Sequence, residues 1–126
     1  MAIFDTDVLI DVLRGTAGAK EAVLKHAGPN NLISAITYGE ILFVMRACED
    51  EATMEFLSVF KIIEVNAGIV ETALDVKRKA KGNKLELYDC IIAATAIMTG
   101  MPLITGNKKH YPDKRLKVIT PEYRAM

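Results

Sequence analysis

The chain has no tryptophan, few other aromatic residues and no excess of charge of either sign. Aromatic residues make up 6% of its 126 residues and hydrophobic residues 51%, so aliphatic side chains must fill the core of a single domain over residues 1–126. The formal net charge is zero, which excludes a protein that coats nucleic acid with a uniformly basic surface. Any contact with nucleic acid must therefore use a local basic patch.

Other features that the chain lacks bear on its compartment. Cys48 and Cys90 form no CxxC pair and no zinc-binding spacing, which predicts two reduced, buried thiols. The N-terminus has no basic segment, and Asp5, Asp7 and Asp11 interrupt its apolar stretch, which argues against a secretory signal peptide. No apolar run reaches the roughly 20 residues that cross a bilayer. We therefore expect a cytoplasmic protein without a membrane partner.

Strand-like and helix-like apolar patterns alternate along the chain. The predicted strands are short and cover residues 2–4, 32–34, 60–65, 102–105 and 117–120. Helical patterns lie between most of them, and residues 121–126 are predicted to be a tail. This alternation predicts an α/β fold with a central parallel sheet of four to five strands, right-handed crossovers and helices on both faces.

Capping residues predict where several helices begin. Asp7 or Thr6 can cap the first helix, and Asn66 can cap a long helix later in the chain. Thr37-x-x-Glu40 has the spacing of a capping box, in which the glutamate reaches back to the start of the helix. The sequence therefore predicts a helix that opens at Thr37.

Four polar residues lie where a parallel sheet would gather them at one edge. Asp5 ends the first strand, Glu40 is predicted in the first helical turn after the second strand, and Asn107 follows the fourth strand. Asp89 lies in the first turn of the most apolar helix, although a helix rather than a strand precedes it. Ligands bind outside the carboxyl ends of parallel strands, so we expect three carboxylates and an amide to converge there.

Each of these residues also has an ordinary structural interpretation. Glu40 can serve only as the acid of the capping box, Asp89 only as a partner of the helix dipole, and Asn107 only as a turn residue. Together they are harder to explain, because clustered carboxylates repel one another unless one takes up a proton or a cation binds. Oxygen ligands favour Mg²⁺ or Mn²⁺ over zinc, and carboxylate-bound ions of this kind support nuclease-type hydrolysis.

Four short motifs in this order resemble those of PIN-domain ribonucleases: Asp5-Thr6, Thr37-x-x-Glu40, Asp89-x-x-Ile-Ala-Ala-x-Ala96 and Thr105-x-Asn107. Over its whole length the chain resembles the VapC-type toxins of toxin–antitoxin pairs. The resemblance implies a single PIN-like domain that cleaves single-stranded RNA with Mg²⁺ or Mn²⁺, forms a homodimer and is inhibited by a cognate antitoxin.

The resemblance also implies roles for individual residues. Asp5, Glu40 and Asp89 would bind the metal, Asn107 would support the catalytic site, and Thr6 and Thr105 would be polar neighbours. The candidates to hold the RNA backbone are basic: Arg14, Lys108, Lys109, Lys114, Arg115 and Lys117.

Two positions depart from the family pattern. His110 stands where many relatives have a fourth acid, and it contacts a phosphate, transfers a proton or is an ordinary surface histidine. Asp7 stands where relatives often have asparagine or serine. It either adds a carboxylate to the site or only caps the first helix.

Two other functions are open at this point. A receiver-like phospho-acceptor signalling domain is also a parallel α/β fold, but it needs an aspartate after the third strand, where Glu64-Val65-Asn66 stands. A catalytically silent PIN-like binding module would share the fold. The presence of all three core acids argues against that module.

Overall fold

The computed structural model describes residues 1–45, 50–80 and 85–124. Its strands are β1 (Ile3–Phe4), β2 (Asn31–Ser34), β3 (Phe60–Ile63), β4 (Leu103–Ile104) and β5 (Val118–Ile119). Its helices are α1 (Thr6–Leu13), α2 (Ala19–His26), α3 (Ala35–Val44), α4 (Asp50–Leu57), α5 (Ala67–Lys79) and α6 (Leu87–Thr99). Two short 3₁₀ turns cover Lys108–His110 and Glu122–Arg124.

The five strands form one parallel sheet in the order β3-β2-β1-β4-β5. The predicted parallel α/β architecture is therefore confirmed, although several strands are shorter than the sequence indicated. The chain builds outward from β1 through β2 to β3, and then returns to the other side of β1 for β4 and β5. This reversal places a topological switch point between the carboxyl ends of β1 and β4, where ligands bind in open α/β sheets.

Side-chain alternation in β1 divides the core between the two faces of the sheet. Ile3 packs in a cluster built mainly from α5 and α6, whereas Phe4 packs in a cluster that α1, α2, α3 and α4 share. Helices therefore cover both faces, as predicted. Helix α6 is buried at every residue from 90 to 96, and Cys90 is among them. The prediction for Cys48 falls outside the described residues.

The capping-box prediction for Thr37 and Glu40 is wrong. Helix α3 begins at Ala35, and Ser34 is its N-cap, because the Ser34 hydroxyl accepts a hydrogen bond from the backbone N–H of Ile36 at 3.1 Å. Serine caps helices as well as threonine does, and α3 begins directly after β2, one turn earlier than the Thr37 motif suggested. Glu40 consequently lies in the second turn of α3, not in the first.

The first helix is also capped by a different residue from those predicted. Asp5 is the N-cap of α1, and its Oδ1 accepts from the backbone N–H of Thr6 at 2.8 Å. Thr6 and Asp7 are therefore the first residues of the helix. The predicted cap at Asn66 is confirmed, since its side chain accepts from the N–H of Ile69 at 2.9 Å. Within the described ranges, no helix is long and apolar enough to cross a membrane.

Candidate active site at the carboxyl edge of the sheet

Asp5 occupies the centre of the carboxyl edge, directly after β1, and is only 5% exposed. Its Oδ1 accepts from the N–H of Thr6, and its Oδ2 accepts from the hydroxyl groups of Thr105 at 2.7 Å and Tyr111 at 3.0 Å. Burial raises the pKa of Asp5, whereas these three donors lower it. The result is a buried carboxyl group whose orientation is fixed on both oxygens.

Glu40 reaches the same edge from α3. The Thr6 hydroxyl donates to Glu40 Oε1 at 2.6 Å and lies 3.1 Å from the hydroxyl of Thr37. Thr37 and Glu40 are three residues apart, so they share the face of α3 that meets the start of α1. Burial raises the pKa of Glu40, the Thr6 hydrogen bond lowers it, and the charge of Asp5 raises it again.

Asp89 lies in the first turn of α6, as predicted. Burial is the largest cause that raises the pKa of Asp89 to about 6. The charges of Asp5 and Glu40 raise it as well. The charge of His110 lowers the pKa values of both Asp89 and Asp5. The structure therefore brings Glu40 and Asp89 close enough to Asp5 for its charge to raise the pKa of both.

The donor set suits a hard divalent cation. Three carboxylates offer oxygen ligands of the kind that Mg²⁺ and Mn²⁺ prefer, and a cation would relieve the repulsion that raises the pKa values of Glu40 and Asp89. Within the described part of the chain, however, no three His, Cys, Asp or Glu side chains are arranged to hold an ion as they stand. Binding an ion here would therefore require the three carboxylates to move closer together.

Asp7 connects the start of α1 to the loop after β4. Its Oδ2 accepts from the backbone N–H of Gly106 and from the side-chain amide of Asn107, each at 3.1 Å. Arg124 Nη2 lies 3.6 Å from the same oxygen. Burial is the largest cause that raises the pKa of Asp7 to about 7, and the charge of Asp5 is the second. Asp7 lies inside α1 and does not cap it, since Asp5 is the cap. Its contacts extend the site towards Arg124.

The Asn107 side chain forms its hydrogen bond with Asp7 and not with the three acids. Its amide bonds Asp7, while its backbone N–H donates to the Thr105 hydroxyl at 3.1 Å, and that hydroxyl in turn donates to Asp5. Asn107 therefore reaches Asp5 indirectly, through Thr105, rather than joining the carboxylates as expected.

A family model described as "PIN domain" matches residues 2–113. The chain belongs to the PIN-domain family. This membership removes the receiver-like alternative, and in agreement with that, β3 ends at Ile63 with no aspartate among the next three residues.

This PIN domain is similar to several known proteins over nearly its whole length. Ribonuclease VapC10 of Mycobacterium tuberculosis is 31% identical over 115 residues, which cover 89% of this chain and 86% of the relative. Ribonuclease VapC1 of Methanocaldococcus jannaschii is 32% identical over 118 residues, with 91% and 80% covered. A solved toxin–antitoxin complex from Klebsiella pneumoniae contains a chain that is 36% identical and superposes with a TM-score of 0.84, over 96% of this chain and 98% of that one.

The predicted basic residues lie in different parts of the PIN domain. Lys108, Lys109 and His110 are exposed and form the 3₁₀ turn that directly follows Asn107. Arg14 is exposed beyond the far end of α1, about 13.5 Å along the helix from Asp5. Arg115 is engaged elsewhere, because its guanidinium bonds Asp113 at 2.7 Å and Asp75 at 3.0 Å.

Sequence reasoning missed two residues that contact the site. Tyr111 places its hydroxyl on Asp5, and Arg124 pairs with Asp7 and with Asp11. A buried tyrosine hydroxyl needs a polar partner, but the local pattern around Tyr111 indicates only a turn. Arg124 lies in the segment predicted to be a tail, and nothing in the local sequence signals its contact with α1.

An apolar groove opens beside Glu40, with a volume of about 440 Å³. Phe43, at its rim, is 91% exposed. The groove is lined by Thr6, Ile10, Ala35, Ile36, Gly39, Glu40, Phe43, Val44 and Tyr88. The groove therefore places exposed apolar side chains next to Glu40.

Proposed function

We propose that this PIN domain is a divalent-metal-dependent endoribonuclease that cleaves single-stranded RNA and acts as the toxin of a toxin–antitoxin pair. The observation that carries the proposal is the buried, oriented carboxylate of Asp5 at the switch point of the sheet, within electrostatic reach of Glu40 and Asp89. Similarity to chains named ribonuclease VapC supports the reaction, and similarity to a toxin–antitoxin complex supports the biological role.

The residues of the site would have different roles in phosphodiester hydrolysis. Asp5, Glu40 and Asp89 would hold Mg²⁺ or Mn²⁺, which when bound supplies charge for phosphoryl oxygens and activates water. Thr105 and Tyr111 orient Asp5, and Thr6 orients Glu40. These hydrogen bonds hold Asp5 and Glu40 at the edge of the sheet before substrate arrives, so fewer groups have to be oriented during the reaction.

Exposed cations beside the site are suited to the RNA backbone. Lys108 and Lys109 follow Asn107 at the open edge and can pair with phosphates. His110, in the same turn, is near enough to Asp5 and Asp89 for its charge to influence both. From this place His110 can contact the scissile phosphate or transfer a proton to the leaving oxygen.

The apolar groove beside Glu40 suits an antitoxin segment. An amphipathic stretch could lay apolar side chains against Phe43 and Val44 and direct an arginine or lysine to Glu40. Other exposed apolar side chains on the domain suit a second copy of this chain, so the active form proposed is a homodimer.

Cleavage assays on the purified protein, free of antitoxin, test the proposal. End-labelled single-stranded RNA should be cut internally with Mg²⁺ or Mn²⁺ and left intact in EDTA, whereas duplex RNA of the same sequence should be cut more slowly. Undiminished cleavage in EDTA would remove the metal from the mechanism. A folded protein that leaves single-stranded RNA intact with either ion would instead be a silent binding module.

A further inference from the structure

Arg124 joins two aspartates of α1 to the turn at residues 122–124. Its Nε donates to Asp11 Oδ2 at 2.8 Å, and its Nη2 lies 3.6 Å from Asp7 Oδ2. The neighbouring Tyr123 hydroxyl donates to the same oxygen of Asp11 at 2.7 Å. The turn is thereby held against the polar side of α1, within two helical turns of Asp5.

The same contact reaches the loop that carries Asn107. Asp7 Oδ2 forms an ion pair with Arg124 and accepts hydrogen bonds from the N–H of Gly106 and from the side-chain amide of Asn107. Beyond Asn107, the Thr105 hydroxyl continues the chain of hydrogen bonds to Asp5. Arg124 is therefore linked to Asp5 entirely through polar contacts.

The space around Gly106 shows how closely this loop meets Arg124. A Cβ atom added at Gly106 would lie 2.8 Å from Asp7 Oδ2 and 2.9 Å from both Cζ and Nε of Arg124. A side chain at this position would force the end of Arg124 or of Asp7 to shift, so glycine allows the guanidinium to lie against the loop backbone beside Asp7. The close approach to Gly106 places Arg124 at the same junction as its ion pair with Asp7.

We propose that Arg124 is a positioning residue, which holds Asp7 as the shared acceptor of Gly106 and Asn107 and thereby fixes the loop that supports the catalytic acids. The inference rests on the proposed ribonuclease activity. Arg124 acts through Asp7 and Asn107, and it does not itself touch the RNA.

Kinetics on single variants test this role. Arg124→Gln should lower kcat about tenfold, since small misplacements of catalytic groups are costly, and should leave KM within about twofold. Arg124→Lys should recover part of the loss, because lysine keeps the charge but lacks the planar fork that reaches both aspartates. Lys25→Gln is the matched control, because it removes the ion pair with Glu122 on the outer side of the same turn and should leave kcat unchanged.

A double-mutant cycle separates positioning from a general loss of structure. If Arg124 acts through Asn107, Arg124→Gln should lower kcat by less than about twofold in an Asn107→Ala background. Two losses that multiply instead would overturn the proposal. A rise in KM with kcat unchanged would also overturn it, because Arg124 would then be an RNA contact.

NMR provides a readout that needs no RNA cleavage. The chain has five asparagines and no glutamine, so its side-chain amide spectrum is simple. Arg124→Gln should shift the Asn107 side-chain amide and the Gly106 backbone amide, and leave the Asn66 side chain on α5 in place. Unchanged Asn107 and Gly106 signals would overturn the link. If these signals shift but the wild type cleaves no RNA, the proposed function fails while the link between Arg124 and Asn107 stands.

Discussion

Tyr111 donates its hydroxyl to Asp5 Oδ2 across 3.0 Å, although 106 positions separate the two residues in the chain. Tyr111 is 5% exposed, so this hydroxyl is shielded from water. Burial raises the pKa of Asp5, and the hydrogen bond from Tyr111 opposes that rise. Tyr111 thus helps to keep the central carboxyl group ionised in a site where burial favours its protonation.

Tyr111→Phe should destabilise the protein by roughly 1–2 kcal/mol at pH 8, because it removes a buried donor to a charged group. The hydrogen bond favours the ionised form, so its contribution is lost as pH falls and Asp5 takes up a proton in the folded state. Denaturant unfolding at pH 8 and pH 5 measures this difference. Tyr38→Phe is the control, since Tyr38 makes no side-chain hydrogen bond within the described ranges, and equal losses for both variants would contradict the assignment.

The three acids should be needed for cleavage but not for folding. Asp5→Asn, Glu40→Gln and Asp89→Asn should each lower the cleavage rate roughly 10³-fold or more, with unchanged far-UV circular dichroism. Glu55→Gln is the control, because Glu55 is exposed near the end of α4, at the amino edge of the sheet. A variant of any of the three that cleaves at the wild-type rate would show that the acid is not part of the catalytic centre.

Asp89→Asn should not destabilise the metal-free protein at neutral pH. Because the pKa of Asp89 is raised to about 6 from roughly 3.9 in an unfolded chain, its ionised form destabilises the folded state. This cost is absent below about pH 4, grows as pH rises and is complete above about pH 6. In EDTA at pH 7.5 the variant should therefore be more stable by on the order of 1 kcal/mol, after allowance for solvent screening, and the gain should vanish near pH 4.

Thermal melts with EDTA and with Mn²⁺ complete this comparison. Mn²⁺ should stabilise the wild type more than Asp89→Asn, because a ligand that binds only the folded state stabilises it. Ile92→Ala, in the buried part of α6, should lose about 2–5 kcal/mol under either condition. A destabilised Asp89→Asn that responds to Mn²⁺ as the wild type does would remove Asp89 from the metal site.

Phe43→Ala should separate partner binding from stability. Because Phe43 is almost fully exposed, its truncation should change the free energy of unfolding by less than about 0.5 kcal/mol. If the groove receives an antitoxin segment, affinity for the antitoxin should fall by about 2 kcal/mol, as at an aromatic hot spot. Isothermal titration calorimetry measures this affinity. Leu24→Ala, which truncates an exposed apolar side chain on α2 outside the groove, is the control. Equal affinity for both variants would place the antitoxin elsewhere.

The sequence predicted those features that depend on local patterns. The alternation of strands and helices predicts the parallel sheet. An acid directly after a buried strand predicts that Asp5 belongs to the site. The predicted cap of α3 is wrong because Ser34 and Thr37 are both good caps one turn apart, and the spacing of Thr37 to Glu40 imitates a capping box. Tyr111 and Arg124 were missed because their contacts with Asp5 and Asp7 span more than 100 residues.

The central position of β1 also determines when the site can form during synthesis. Asp5 is made about 100 residues before Thr105 and Tyr111, which orient it, and β4 must pair with β1 before these two residues reach Asp5. Closing so long a loop comes late, because its entropy must be lost before the contacts form. A growing chain that has not passed residue 111 therefore contains Asp5 without the side chains that orient it. The complete site can form only after nearly all of the domain has been translated.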